Sequence, residues 1–95
     1  MAAYIISRVH VKDPERMKDY AARSIALAKA YGASYPARTD RVEALEGPYY
    51  GRRLIIIQFS DLAIARAHCT SPEYQELCKL RQAAADSELW LVPED

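Results

Sequence analysis

Residues 3–11 alternate, with Ile5, Ser7, Val9 and Val11 on one side and Tyr4, Ile6, Arg8 and His10 on the other, the period of two that marks a strand. The period then lengthens to that of a helix. Asp13-Pro14 supplies its start, an aspartate N-cap followed by a proline whose missing N–H costs nothing at the first helical position. Met17, Tyr20, Ala21, Ser24, Ile25, Leu27, Ala28 and Tyr31 form one stripe, opposite Lys18, Asp19, Arg23 and Lys29, and Gly32 ends the helix. A second extended region covers residues 34–38 and, after Thr39-Asp40, resumes over 42–46; Pro36 lacks a ladder donor and assigns this strand to an edge or a bulge. Gly47-Pro48-Tyr49-Tyr50-Gly51 is turn chemistry. Residues 53–59 are almost continuously apolar, which predicts a central, well-covered strand. Ser60 or Asp61 starts a short helix through Cys69, Ser71-Pro72 restarts it through about Ala85, and residues 88–92 close as a strand around Trp90.

Strand, helix, strand, strand, split helix, strand gives two βαβ halves with right-handed crossovers, an α+β domain of ferredoxin-like βαββαβ type spanning residues 1–95 with its helices on one face. The other face then carries Tyr4, Ile6, Leu54 and Ile56 beside Arg8, His10 and Gln58, too apolar for water and too polar for an ordinary core. A second copy of the chain is expected to cover it. A monomer of 95 residues buries only about 60–65% of its unfolded surface, so pairing also adds stability that the small core lacks.

Thirteen Lys and Arg balance thirteen Asp and Glu, and neither sign collects in a block, which argues against nucleic acid or an anionic membrane as partner. The N-terminal residues lack the basic leader, apolar length and cleavage site of a signal peptide, and no apolar run approaches the ~20 residues of a spanning helix. A cytoplasmic protein with Cys69 and Cys78 reduced is the expectation.

Arg81 is the residue that asks for an explanation. Tyr74, Leu77, Cys78, Arg81, Ala84 and Ala85 share one helical face, which lays a guanidinium over the sheet. Such a group either offers a fork to a carboxylate ligand, with the Tyr74 hydroxyl beside it, or is spent internally on Glu46, on Asp86 or on the last carbonyls of its helix. His10 is the one strand histidine and faces either the interior of a paired barrel, as an acid or base, or a dimer mate and water. Arg38, beside Tyr35, projects toward a pocket mouth, with Tyr49-Tyr50 either a lid over it or part of a dimer rim. His68, Cys69 and Cys78 do not have the spacing of a metal site, and Cys69 lies at a helix end of the wrong polarity for a nucleophile. No phosphate loop, serine elbow, paired-carboxylate motif or haem signature is present, so no cofactor is expected.

Ala3-Tyr4, Asp13-Pro14-Glu15, Tyr20, Tyr31-Gly32, Leu45-Glu46-Gly47, Phe59-Ser60, Ala65, Ser71-Pro72-Glu73-Tyr74-Gln75 and Leu80-Arg81 together resemble the small bacterial proteins grouped as domain of unknown function thirteen-thirty. The resemblance implies a dimeric α/β barrel, two ferredoxin-like sheets packed face to face. Its superfamily also holds cofactor-free monooxygenases, lactone isomerases, haem enzymes and stress-response proteins. Where relatives carry two aromatics before the Ser-Pro restart this chain has His68-Cys69, and Thr39-Asp40 replaces glycines, changes that reshape a pocket near the helix pair. The expectation is therefore a homodimer of unassigned activity holding a small organic, carboxylate-bearing ligand between sheet and helices, with Arg81, Tyr74, Arg38 and His10 as its polar contacts and no metal. The alternatives are a cofactor-independent monooxygenase or isomerase, and a pairing domain with no ligand.

Overall fold

Alternation in the first residues becomes β1 (Ala3–Val11), the strand around which the rest assembles in this computed structural model, which describes residues 1–49 and 51–95. The sheet order is β2-β3-β1-β4, with β2 (Ser34–Thr39), β3 (Arg53–Phe59) and β4 (Ala85–Pro93) all antiparallel to their neighbours. With α1 (Pro14–Ala30), α2 (Leu62–Thr70) and α3 (Pro72–Ala84) this is the ferredoxin-like arrangement, its second helix split in two. Pro36 acts as its chemistry requires: β2 is an edge strand, and its register slips between Ser34 and Ala37.

Local capping fixes the helix starts. Asp13 accepts from the Arg16 N–H at 3.3 Å and Asp61 from the Ile64 N–H at 2.8 Å. Ser71 joins two helices: its hydroxyl donates to the His68 carbonyl at 2.8 Å and accepts from the Tyr74 N–H at 3.2 Å, so one buried side chain ends α2 and begins α3. The N–H groups of Lys12 and Asp13 both donate to the Ala84 carbonyl, at 2.8 and 2.9 Å, tying the end of α3 to the entry of α1.

Three expectations need correction. Residues 42–46 form no strand, although Val-Glu-Ala-Leu-Glu alternates: β2 stops pairing at Thr39 opposite Leu54, no further strand among the described residues lies beside the chain there, and Leu45 is left exposed. β3 is interior to the sheet but covered on one side only within this chain, since Leu54, Ile56 and Gln58 share the face of Arg8, Ile6 and Tyr4, opposite the helices. β4 also begins three residues earlier than the sequence suggested, because Ala85 pairs directly with Val11.

The core proper sits at one end of the helix-covered face, where Ala3, Ile5, Phe59 and Ala65 pack together under Tyr31 and Leu62. Farther along β1 the same face carries Ser7 and Val9. Short side chains there, met by Ala21 and Ser24 of α1, do not fill the layer between helix and sheet.

Candidate functional site

That unfilled layer is a cavity of about 420 Å³ between α1, α3 and the sheet. Val9, Met17, Ile25, Ile55, Ile57 and Leu89 form its apolar walls. Arg81, Tyr74, Arg38 and His10, the four polar residues singled out in the sequence, all border it. They differ in kind: Arg81 and Tyr74 are buried, whereas Arg38 and His10 are exposed.

Arg81 is only 6% exposed, yet none of its expected internal partners takes it. Asp86 instead pairs with Lys12 at 3.2 Å, and Glu46 lies exposed in the long connection before β3. The guanidinium is held by neutral groups: Nε donates to Ser87 Oγ at 3.0 Å, and Nη1 lies 3.4 Å from the Tyr20 hydroxyl, 3.3 Å from the Tyr74 hydroxyl and 3.7 Å from Cys78 Sγ. Its carbon also stands 5.8 Å from the Tyr20 ring centre. Among the described residues no carboxylate pairs with Arg81 and nothing accepts from Nη2. Burial pulls its pKa down. The hydrogen bond that Nη1 gives to the Tyr20 hydroxyl, with Tyr20, Tyr74 and Cys78 as neighbours, more than offsets that pull, and the net shift is upward. Burial, reinforced by Tyr20, pushes the Tyr74 phenol well above its ordinary range despite Arg81, so it stays protonated.

Around this centre the charge is uneven. Lys18, Arg38, Arg53 and Arg81 border the cavity against one carboxylate, Asp40, which lies 3.9 Å from Arg53. Tyr20, Ser24, Tyr35 and Ser87 complete the polar lining or its support and were not recognised as site residues from the sequence. A serine and a tyrosine four residues apart on an otherwise apolar stripe were the available signal for two of them.

The tyrosine lid requires correction. Tyr49 donates to the Arg52 carbonyl at 2.7 Å, and its ring lies 5.9 Å from the Arg8 guanidinium, on the uncovered side of the sheet, away from the cavity; Tyr50 lies outside the described residues. On that side Glu88 receives Arg8 at 2.7 Å and Arg52 at 3.2 Å, and Arg8 chiefly holds its carboxyl below the usual range. A smaller cavity of about 250 Å³ shares Tyr74 and Arg81 with the first and is bordered by Cys69, Cys78 and Trp90. Burial, then Cys78, pushes the Cys69 thiol up. Among the described residues no group of three or more His, Cys, Asp or Glu is placed to hold a metal ion, and no helix is long and apolar enough to cross a membrane.

Tyr74 is backed by an unusual neighbour. His68 is 1% exposed, wedged between the rings of Tyr31, Phe59 and Tyr74 at 5.5, 5.0 and 4.6 Å, and among the described residues neither ring nitrogen has a hydrogen-bond partner. Burial holds its pKa below the ordinary 6.5. The unfolded chain then binds the extra proton first, so stability falls as pH drops below 6.5 toward the folded-state value. His68→Phe is expected to raise stability by about 1–2 kcal/mol at neutral pH and to flatten the acid limb of a pH series of urea melts. An unchanged acid limb would show that His68 is not the group being titrated.

Solved structures place this fold among known proteins. The chain is similar to a protein of unknown function from Rhodopseudomonas palustris, with TM-score 0.78 and 20% identity over 99% of this chain and 82% of that one. It is also similar to SnoaB, a cofactor-independent oxygenase from Streptomyces nogalater, with TM-score 0.65 and 18% identity over 99% of this chain and 93% of that one. A dimeric ferredoxin-like protein of unknown function from Jannaschia gives TM-score 0.72 and 13% identity over 99% and 100%. At these identities the likeness carries the fold and nothing more. No curated protein matches. The family model for the domain of unknown function DUF1330 matches residues 2–94, and the chain belongs to that family.

Proposed function

We propose that the protein is a homodimer that binds a small organic anion, in the simplest case a carboxylate with an apolar body, in the cavity between sheet and helices. The observation that carries this reading is Arg81: a buried guanidinium bordering a 420 Å³ cavity, with no carboxylate paired to it among the described residues. A buried charge without a counterion is costly, and an anionic ligand removes that cost. The cavity falls in the size range of small-molecule sites, apolar walls with a few convergent polar groups.

Pairing rests on the other face. The protomer is a slab of 32 × 32 × 16 Å, thick enough for one sheet and one helix layer, and its accessible surface of 6045 Å² exceeds the roughly 5,500 Å² expected for a monomer of this mass. The Jannaschia protein is dimeric. An oxygenase-like or isomerase-like activity is the competing reading, suggested by the likeness to the Streptomyces protein; it needs a base in the cavity, and His10, the histidine that borders it, is exposed, belongs by strand alternation to the face of Arg8, and has no carboxylate partner among the described residues.

A thermal-shift screen with aromatic and aliphatic carboxylic acids tests the ligand reading. An acid at about a hundred times its Kd stabilises by roughly 2.7 kcal/mol, on the order of 10 °C for a domain of this size. If no organic acid moves the Tm and native mass spectrometry of the freshly purified protein finds no bound small molecule, the reading fails.

A further inference from the structure

We propose that the anion taken by this cavity carries its charge on a single oxygen, as an enolate or phenolate does, and that Tyr20, Tyr74 and Arg81 hold it as a three-donor cradle. This rests on the reading of the cavity as a ligand site and refines the ligand from a general organic acid to an acidic enol or phenol.

A carboxylate is gripped best by two parallel N–H groups from one edge of a guanidinium. Arg81 no longer offers such an edge: Nε gives its single hydrogen to Ser87 Oγ, and the two hydrogens of Nη1 are shared among the Tyr20 and Tyr74 hydroxyl oxygens and, at the longer 3.7 Å, Cys78 Sγ. Both edges therefore have one member engaged. Nη2 remains, with no acceptor among the described residues.

Each phenol accepts from Arg81 through its oxygen and still owns an O–H proton. Among the described residues neither proton has an acceptor. Both hydroxyl oxygens lie within 3.4 Å of the same nitrogen, and Tyr20, Tyr74 and Arg81 all border the 420 Å³ cavity. Two O–H donors and one charged N–H donor thus cluster around a small region in which no carboxylate is paired with the guanidinium. Such a set suits a concentrated oxyanion, the arrangement enzymes use where negative charge develops on one oxygen. Arg81 polarises both phenols while they donate, which strengthens each bond. Because burial pushes the Tyr74 phenol up, a more acidic ligand gives its proton to solvent and the charge resides on the ligand, not on the protein. Met17, Ile25, Ile55 and Leu89 enclose the ring or chain behind the oxygen.

Para-nitrophenol is a suitable probe, because its ionised form has its own visible absorption. The intact protein is titrated with it about one pH unit below the probe's solution pKa, where roughly nine-tenths of it is neutral. The bound probe is expected to absorb as the phenolate, a fall in its pKa of at least one unit, or tenfold in ionisation constant. Tyr20→Phe and Tyr74→Phe, which keep both rings, are each expected to reverse that shift by several-fold while changing benzoate affinity less. Near-ultraviolet circular dichroism checks that the variants keep native packing. If benzoate binds but the probe does not, or if it binds with its solution pKa, or if both Tyr→Phe variants leave the shift intact, the cradle is wrong and the ligand site survives. If neither compound binds, both readings fall.

Discussion

Arg81→Met is expected to abolish organic-anion binding while leaving the melting temperature unchanged or raising it. The two effects have one cause. Arg81 is buried at 6% exposure and held by hydroxyls and a thiol with no paired carboxylate among the described residues, so neutral dipoles alone stand in for the water its charge has lost. Methionine matches the length of its aliphatic stem and fills an irregular space without a charge. Exchanging a buried ionic group for an apolar one of similar volume is often neutral or stabilising by about 1–4 kcal/mol. The ligand loses its charged donor, a loss of roughly 2–5 kcal/mol, or about 30- to several-thousandfold in Kd. Calorimetric titration of a carboxylic acid found in the screen, with a paired thermal melt, measures both. A variant that melts many degrees lower and still binds would make Arg81 a structural strut.

Ile56→Asp is expected to yield a folded monomer. Ala37, Ile56, Ile6 and Trp90 stand opposite one another in register, a row that crosses all four strands on the face without helices. Trp90 is 46% and Val92 38% exposed on that face, where the protomer offers nothing to cover them. A specific pair of copies buries about 800 Å² or more on each chain, and a carboxylate at the centre of such a patch is stranded without a partner, which costs several kcal/mol. The protomer's own core lies on the opposite side of the sheet, under α2, and does not include Ile56. Sedimentation equilibrium should therefore show the mass halved at micromolar concentration with the far-ultraviolet spectrum retained. Wild-type protein that sediments as a monomer at the same concentration would remove the premise.

Most of the fold is legible in the letters because its signals are local. Asp13-Pro14, Asp61 and Ser71-Pro72 begin helices through contacts within three or four residues of themselves, and the alternation of β1 needs only its own pleat. Pro36 at an edge bulge follows from one missing hydrogen. Residues 42–46 misled for the complementary reason: alternation states which side a residue faces if a strand forms, and says nothing of whether another strand lies beside it.

The candidate site divides in the same way. The sequence by itself determined that Arg81 and Tyr74 share the inward face of α3 and that Arg38 follows Tyr35 on a neighbouring strand, because helical and strand periods set direction without knowledge of the partner. Only the tertiary structure decided that Arg81 meets Tyr20, sixty-one positions away, and Ser87, in place of Glu46 or Asp86, and that His68 sits among three rings with no hydrogen-bond partner among the described residues. Which hydroxyl reaches a guanidinium, and whether space is left beside it, depends on how closely α1 and α3 approach the sheet. That spacing is set by the joint packing of short side chains such as Ser7, Ala21 and Ser24, a property of layers in contact that no single segment contains.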